Sequence, residues 1–596
     1  MRTAILSAVY ALVAILAGCA IAPQKPTERV PGDYTYTREY TSWLIAKEMR
    51  KHDVQGVSIA LVDDQRVVWA QGFGFADATK GISAGPETVY QVGSISKLFT
   101  ATSAMQLAEQ GRLDIDRPVQ AYLPGFSIHS RFDRQAPITV RQLMTHHAGL
   151  PRDILKGMWT TDPEPFTRVL DHLQDEYQVY EPNTVFSYSN VGMTLLGHVV
   201  QQVAGQDFSP HLEESLLRPL GMTNAYVAPG IRGGAHDSKG YRKGKEESVM
   251  PLRDEPAGGL HASVSDLSKF MMMVFGSGRA GEQQIVKAET LAEMLRPQNA
   301  DVPLDLDFRI GLGWILSGLG DINIRNAGPM VHHAGATLLF HSQLILLPEH
   351  KLGVVVLGNS TSARPIVDRA AVEALTLALE AKTGIVQPTR TEWATAADAV
   401  SEDTRRVSEG NYTTAIGAAR VERHGSRLRV EVADRTFSMV PYEDRWFGLR
   451  YRLFGLVPIS LGELDRYAVR RTSVSGREVL IVGDGHVRLL VGERLVPKTI
   501  PETWRQRIGH YELVNQGQDE PLFENPSLVI KDGGLRLRAK ALYGGETGEI
   551  VVEPVSDTEA VLLGTLAGAG ETIQIVQIDG VEMWRYSGYL FKRKMD

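Results

Sequence analysis

The pattern of apolar and polar positions divides the chain near residue 395. Before that point a helix-like run (38–51) leads into GVSIALVDDQRVVWAQGFGFAD. Its apolar positions on either side of Asp63-Asp64-Gln65 predict a hairpin. Helical stretches are expected to fill 93–230, strands to return over 308–358, and a long helix to follow over 364–381. These elements describe an α+β domain, an antiparallel sheet drawn from both ends of the region. Helices flank it, a helical region is inserted, and a cleft lies between. After residue 395 long helices largely vanish and short alternating runs take over, such as ARVERHGSRLRVEV and ETIQIVQIDGVEMWRY.

The later runs repeat weakly with a period of about 100 residues. Gly410-Asn411-Tyr412 matches Gly509-His510-Tyr511, residues 425–430 echo 533–539, and residues 479–491 echo 573–584. Two small antiparallel β-barrels, each closing its own edges, account for this; a single larger β-sandwich is the alternative. The expected organisation is a leader over 1–18, a tether over 19–36, a catalytic domain over 37–390, and barrels over 400–500 and 503–596.

The N-terminal segment changes the picture of location. Arg2 is the only charge before an apolar stretch from Ala4 to Ala17, too short to span a bilayer and of secretory-signal form. It ends Leu16-Ala17-Gly18-Cys19, and Cys19 is the chain's single cysteine. This segment resembles the lipobox of bacterial lipoproteins. The resemblance implies cleavage before Cys19, acylation there, and an N-terminal anchor in a lipid bilayer. With Ala20 following, it implies an exported protein on the periplasmic side of the outer membrane. An ordinary signal holding a chance cysteine would also export the protein. One cysteine excludes intramolecular disulfides. The Pro-rich stretch 20–33 reads as a spacer. A net charge of −7 without a basic stripe gives no support for a nucleic-acid partner.

Three short motifs carry the candidate chemistry. In QVGSISKLFTATSAMQLAEQGRLD (91–114), Ser94 opens an apolar helical run and Lys97 follows one turn later on the same face. A serine hydroxyl needs a base, and a lysine can serve once burial or a nearby cation lowers its pKa. Lys97 is the only lysine with a serine three residues before it. In EPNTVFSYSNVGMTLLGHVV (181–200), Tyr188 and Asn190 lie two apart before a helix expected from Val191. They can relay a proton and hold a carbonyl or Lys97, or simply pack and cap that helix. In VHHAGATLLFHSQLILLP (331–348), His333 and Gly335 share one face of an expected edge strand, with 352–359 completing a hairpin. The N–H groups of Ala336 and Ser94 could form an oxyanion hole. His333 also fits a satisfied, partly buried histidine.

Together, Ser-x-x-Lys, Tyr-x-Asn and His-x-Gly resemble the serine β-lactamase and penicillin-binding-protein family in its class C-like branch. LMTHHAGLP (143–151), PAGGLHASVSDLSKF (256–270) and GLGW (311–314) agree, and the similarity covers about residues 37–385. The resemblance implies a β-lactamase-like fold with Ser94 as nucleophile, Lys97 as its base and Tyr188 as proton relay. Asn190 would contact substrate or lysine, and His333 with Gly335 would form the strand motif. His-Ala-Gly stands where Lys-Thr-Gly is usual, so a cation and a hydroxyl for a substrate carboxylate are missing. Relatives with His-x-Gly include esterases and D-aminopeptidases, and the latter also carry two C-terminal barrels.

Other motifs fail on context. Lys382-Thr383-Gly384 closes a predicted helix, and the G-x-S-x-G at Gly81–Gly85 reads as a loop. The histidine pairs 146–147 and 332–333 lack metal-site spacing, so no metal and no cofactor are expected. The expected activity is hydrolysis, through an acyl-enzyme, of an amide or ester in a small peptide or cell-wall-like fragment. A peptidase or amidase comes first, then an esterase or a slowly deacylating penicillin-binding sensor, with β-lactamase last. The barrels are either passive domains or walls that limit substrate size.

Overall fold

A computed structural model describes residues 21–133, 136–318, 322–388, 393, 408–425, 427–453, 457–459, 462–543, 547–565 and 569–595. The leader and Cys19 lie outside the described residues. So do the catalytic domain's last residues, 389 and 390.

The catalytic sheet has six antiparallel strands. They are β1 (Gly56–Asp63), β2 (Arg66–Asp77), β3 (Ile82–Ser83), β4 (Val331–Ala336), β5 (His341–Leu347) and β6 (Leu352–Gly358), in the order β4-β5-β6-β1-β2-β3. The expected β1–β2 hairpin forms, with Asp63 opposite Arg66 and Asp64 in the left-handed region at φ 52. β1 is buried on both faces, which its near-continuous apolar sequence requires. Val57, Ile59 and Leu61 pack toward helices α1 (Thr35–His52) and α5 (Arg364–Thr383). Ala60 and Val62 face the helical region. There α2 (Ser96–Glu109), α3 (Asn190–Ala204) and α4 (Val264–Phe275) supply the core. The run 331–348 breaks at a turn into β4 and β5, so 352–358 forms its hairpin with β5 and leaves β4 as the edge strand.

Several expectations need adjusting. Residues 146–189 are mostly irregular, with only short helical turns and one five-residue helix, Val169–Leu173. Ser83 of the G-x-S-x-G lies on a two-residue edge strand, not in a loop. Lys382 and Thr383 do end α5, with Gly384 at φ 84. The Pro-rich stretch is not free along its length: Lys25 pairs with Glu380, and the Gly32 N–H reaches the Ala381 carbonyl.

The C-terminal region forms two closed eight-stranded antiparallel barrels, which removes the sandwich alternative. Barrel 1 runs Gly410–Thr414, Gly417–His424, Arg427–Val432, Arg435–Pro441, Phe447–Leu453, Ala468–Val474, Arg477–Gly483 and Arg488–Leu495. Pairing of its fourth and fifth strands closes it, and Val457–Ile459 adds to the fifth. Barrel 2 runs Gly509–Leu513, Phe523–Lys531, Gly534–Ala541, Thr547–Pro554, Glu559–Leu563, Thr572–Ile578, Val581–Tyr586 and Tyr589–Arg593.

Two sequence echoes match in structure. Gly410 and Gly509 open the first strands at φ 144 and 149, and Tyr412 and Tyr511 each donate to the carbonyl four residues back. Residues 425–430 and 533–539 both lead into third strands. The third echo is displaced by one strand: 479–491 spans strands seven and eight of barrel 1, while 573–584 spans six and seven of barrel 2. Any tight hairpin with alternating apolar positions gives that pattern, so it does not fix register.

Candidate active site

Ser94, the candidate nucleophile, sits where a short strand turns into a helix. Gly93, at φ +55, and Ser94 form a 3-10 turn before α2. Ser96 fastens that turn: its Oγ donates to the Gly93 carbonyl at 2.6 Å and accepts from the Leu260 N–H at 3.0 Å. Every residue of α2 from Ser96 to Leu107 is buried. The helix therefore carries Lys97 into the protein interior and not along an exposed face.

Lys97 is fully buried, and its Nζ lies 3.0 Å from Ser94 Oγ and 2.8 Å from the Ala257 carbonyl oxygen. Burial lowers the amine from 10.5 to about 7; Asp153 and Asp254 oppose the shift and Arg152 adds to it. A fraction of the molecules thus holds a neutral amine beside the serine at neutral pH. This is the condition for lysine as a base.

Tyr188 completes the group. Its ring lies 5.0 Å from Lys97 Nζ and its hydroxyl is turned toward Ser94. Burial pushes the phenol well above its ordinary value, so it stays protonated and can only pass a proton on. The segment carrying it is laced to the corner at His146 and His147. His146 stands at φ 57 after the helix Val140–Thr145, and its carbonyl accepts from the Ser187 N–H. Its Nδ1 accepts from the Ser189 N–H at 3.1 Å, and its ring lies 4.4 Å from the Tyr188 ring. His147 turns the other way to Asp305, 2.8 Å off, which also accepts from the Phe186 N–H. The pair read as a decoy is therefore the scaffold of Tyr188. Among the described residues no cluster of three or more His, Cys, Asp or Glu is placed to hold a metal ion.

Asn190 opens α3, but Ser189 is the residue that caps the helix, accepting from the Gly192 N–H. The Asn190 amide nitrogen donates to Asp153 Oδ1 at 2.7 Å. A carboxylate only accepts, so the nitrogen side of the amide faces Asp153 and the oxygen faces away from it.

His333 is 2% exposed, and its Nδ1 lies 2.7 Å from the Ala334 carbonyl. Burial, with the Lys97 charge, lowers its pKa to about 3, so it is a neutral imidazole. Gly335 is where β4 meets the nucleophile turn. A Cβ there would stand 2.0 Å from the Val92 carbonyl oxygen and 3.1 Å from the Ser94 nitrogen. A Cβ on Gly93 would meet Ala336 nitrogen at 2.8 Å. The backbones of Ser94 and Ala336, the two expected oxyanion donors, therefore lie side by side.

Sequence reasoning missed the Ala257 carbonyl, Asp153 and the Arg253–Asp254 pair. Ala257 lies within the quoted PAGG string, yet a backbone acceptor has no side-chain signature. Arg253 and Asp254 are fully buried against each other at 2.8 Å, with Arg253 also donating to the Ile154 and Lys156 carbonyls. A separate hollow of about 860 Å³, bordered by Asp77, His236 and Asp237, contains none of these groups.

The family model described as Beta-lactamase matches residues 43–378. Protein flp of Staphylococcus aureus (strain MRSA252) is 28% identical over 331 residues, 54% of this chain and 62% of the relative. The chain thus spans less than two-thirds of that relative's length. The octameric penicillin-binding protein homologue from Pyrococcus abyssi superposes with a TM-score of 0.51 at 23% identity, covering 83% of this chain and 97% of that one. SurE with D-Leu superposes with a TM-score of 0.52 at 23% identity, covering 77% and 99%. These shares exceed the catalytic domain, so the likeness in fold extends into the barrels.

Proposed function

The chain belongs to the β-lactamase and penicillin-binding-protein family of serine hydrolases, and we propose that it cleaves an amide or ester bond through an acyl-enzyme on Ser94. The observation that carries this is the buried Lys97 amine, lowered to about 7, at 3.0 Å from Ser94 Oγ. Neutral Lys97 takes the Ser94 proton as Oγ bonds to the carbonyl carbon. The N–H groups of Ser94 and Ala336 hold the resulting oxyanion. Tyr188 gives its proton to the leaving amine or alkoxide as its bond to carbon breaks, and the proton held by Lys97 replaces it on Tyr188. Water then adds to the acyl carbon, giving one proton back to Ser94 Oγ as the acid leaves.

Small peptides with a D-amino acid at the free amino end are the favoured substrates. Neutral His333 puts no fixed positive charge on β4 for a substrate carboxylate, which disfavours β-lactams and carboxypeptidase substrates. The D-Leu held by SurE, a structure of like fold, points the same way. An ester substrate in the same site is the second reading.

The test is intact mass of the protein lacking residues 1–19 during exposure to four compounds: a D-amino-acid p-nitroanilide, a p-nitrophenyl ester, a cephalosporin and a fluorophosphonate. A Ser94-dependent adduct with turnover of the anilide is expected. A lasting adduct without turnover would replace the hydrolase with a sensor, and no adduct from any reagent would refute acylation altogether.

Phosphonylation of Ser94 by the fluorophosphonate, with loss of fluoride, should also rise with pH through about 7 and level off above it, as Lys97 loses its proton. Tyr188 acting as a phenolate would instead give a rate still climbing at the alkaline limit. Anchoring through Cys19 belongs to the same proposal. A radiolabelled fatty acid fed to cells is expected to tag the wild-type protein and not Cys19→Ala; equal labelling of both would exclude the anchor.

A further inference from the structure

Barrel 2 touches the catalytic domain at the loop 152–157, immediately beside the site. The contact is made by the turn between its last two strands, where Tyr586 pairs with Tyr589 across Ser587-Gly588. Ser587 stands at φ 52 and Gly588 at φ 80, the left-handed pair that a two-residue hairpin turn requires. The absence of a side chain at Gly588 matters, because a Cβ there would lie 2.7 Å from Lys156 Cβ.

Ser587 is 4% exposed and engages the loop three ways. Its Oγ donates to the Asp153 carbonyl at 2.9 Å and accepts from the Leu155 N–H at 2.8 Å. Its own carbonyl accepts from the Lys156 N–H at 3.1 Å. Nearby, Glu571 of barrel 2 accepts from the Arg152 N–H at 3.0 Å and from the Tyr586 hydroxyl at 2.5 Å. Asp519 of the same barrel pairs with Lys156 at 2.8 Å. Barrel 2 thus satisfies the N–H groups of Arg152, Leu155, Lys156 and Gly157, while the Arg152, Ile154 and Lys156 carbonyls accept from Asn190 and Arg253 of the catalytic domain.

The same loop ends in the site. The Arg152 carbonyl accepts from the Asn190 N–H at 2.8 Å, and Asp153 takes the Asn190 amide nitrogen. We propose that the Tyr586–Tyr589 turn of barrel 2 is a working part of the active site, holding Asp153 so that it orients Asn190 with its amide oxygen toward the reacting centre. Asp153 is then a positioning residue, and Ser587 positions it in turn. Consequently the site presents the Asn190 amide oxygen as an acceptor for a substrate N–H at this point. The inference rests on the acyl-enzyme reading of Ser94.

The groups whose charge bears on Lys97 are Asp153, Asp254 and Arg152, with neutral His146 and His333 across the site. Asp153 raises the Lys97 pKa, so removing its charge lowers it further. The experiment follows fluorophosphonate labelling of Ser94 against pH in the full chain, for wild type, Asp153→Asn, Asp153→Ala, Ser587→Ala and the Asp153→Ala/Ser587→Ala double variant, with melting curves to confirm folding.

Asp153→Asn keeps an acceptor for Asn190 but not the charge. Its acid limb is expected to move to lower pH with the plateau within a few-fold of wild type. Asp153→Ala should show the same movement and lose on the order of tenfold in plateau rate. Ser587→Ala should lower the plateau by several-fold, and the double variant should fall little below Asp153→Ala, because both act along one path. An unmoved acid limb in Asp153→Asn, or losses in the two alanine variants that simply multiply, would overturn the proposal while leaving the acyl-enzyme reading intact. A wild-type protein that is never labelled would remove that reading and the proposal with it.

Discussion

Replacing Lys97 by methionine is expected to silence acylation of Ser94 and, at the same time, to raise the melting temperature of the catalytic domain at pH 6. Loss of the general base alone lowers the rate about 10²–10⁴-fold. The gain in stability follows from linkage. The amine titrates at about 7 in the folded protein and at 10.5 when exposed. Below pH 7 both states carry the proton and the folded state bears the full cost of a buried charge. Between about 7 and 10.5 the unfolded chain binds a proton that the folded one does not, so the wild-type protein gains stability as pH rises. The shift corresponds to on the order of 5 kcal/mol. Leaving the Ala257 carbonyl without its donor offsets about 1–3 kcal/mol of that. The advantage of Lys97→Met should therefore be greatest near pH 6 and shrink toward pH 10. A variant less stable than wild type at both values would show that the lysine supports the fold, against the strained-site account.

Gly335→Ala should be nearly as damaging, for a steric reason. The added methyl would sit 2.0 Å from the Val92 carbonyl oxygen and 2.3 Å from Ser342 Oγ. Those two atoms already hydrogen-bond each other at 2.7 Å. One is backbone, so the edge strand must move away from the nucleophile turn. Overpacking of this kind costs about 1–3 kcal/mol of stability. Spreading the Ser94 and Ala336 N–H groups removes an oxyanion donor, about 10²–10³-fold in rate. Labelling rates and melting curves test both effects. Gly85→Ala is the control, since nothing lies within 4 Å of a Cβ there. Its stability should stay within about 0.5 kcal/mol of wild type. Wild-type labelling by Gly335→Ala would show that β4 does not border the reacting centre.

What the sequence revealed was what is local. Ser94 and Lys97 are one helical turn apart, and His333 and Gly335 share one face of one strand. In both cases backbone periodicity alone places the side chains. The rest of the site is built from contacts without period. The Ala257 carbonyl reaches Lys97 across 160 residues and carries no residue type. Ser587 reaches Asp153 across 434. The roles of His146 and His147 were not legible, because sequence adjacency hides the left-handed corner that turns them to different partners. The barrels were legible as alternating runs, while the pairing register within them was not, because a one-strand displacement leaves the alternation unchanged.

The route of the chain through the catalytic sheet also bears on how the protein comes to be folded. β1 lies in the middle of that sheet, and one of its two neighbours is β6, with Val57 opposite Gly358. During synthesis, then, the apolar segment GVSIALV waits for some three hundred further residues with one edge unpaired. Long-range closure of this kind is slow and exposes a strand prone to self-association. Within each barrel most strands pair with the next along the chain and can form early. The domain that holds Ser94 thus depends on late, long-range closure more than either barrel does.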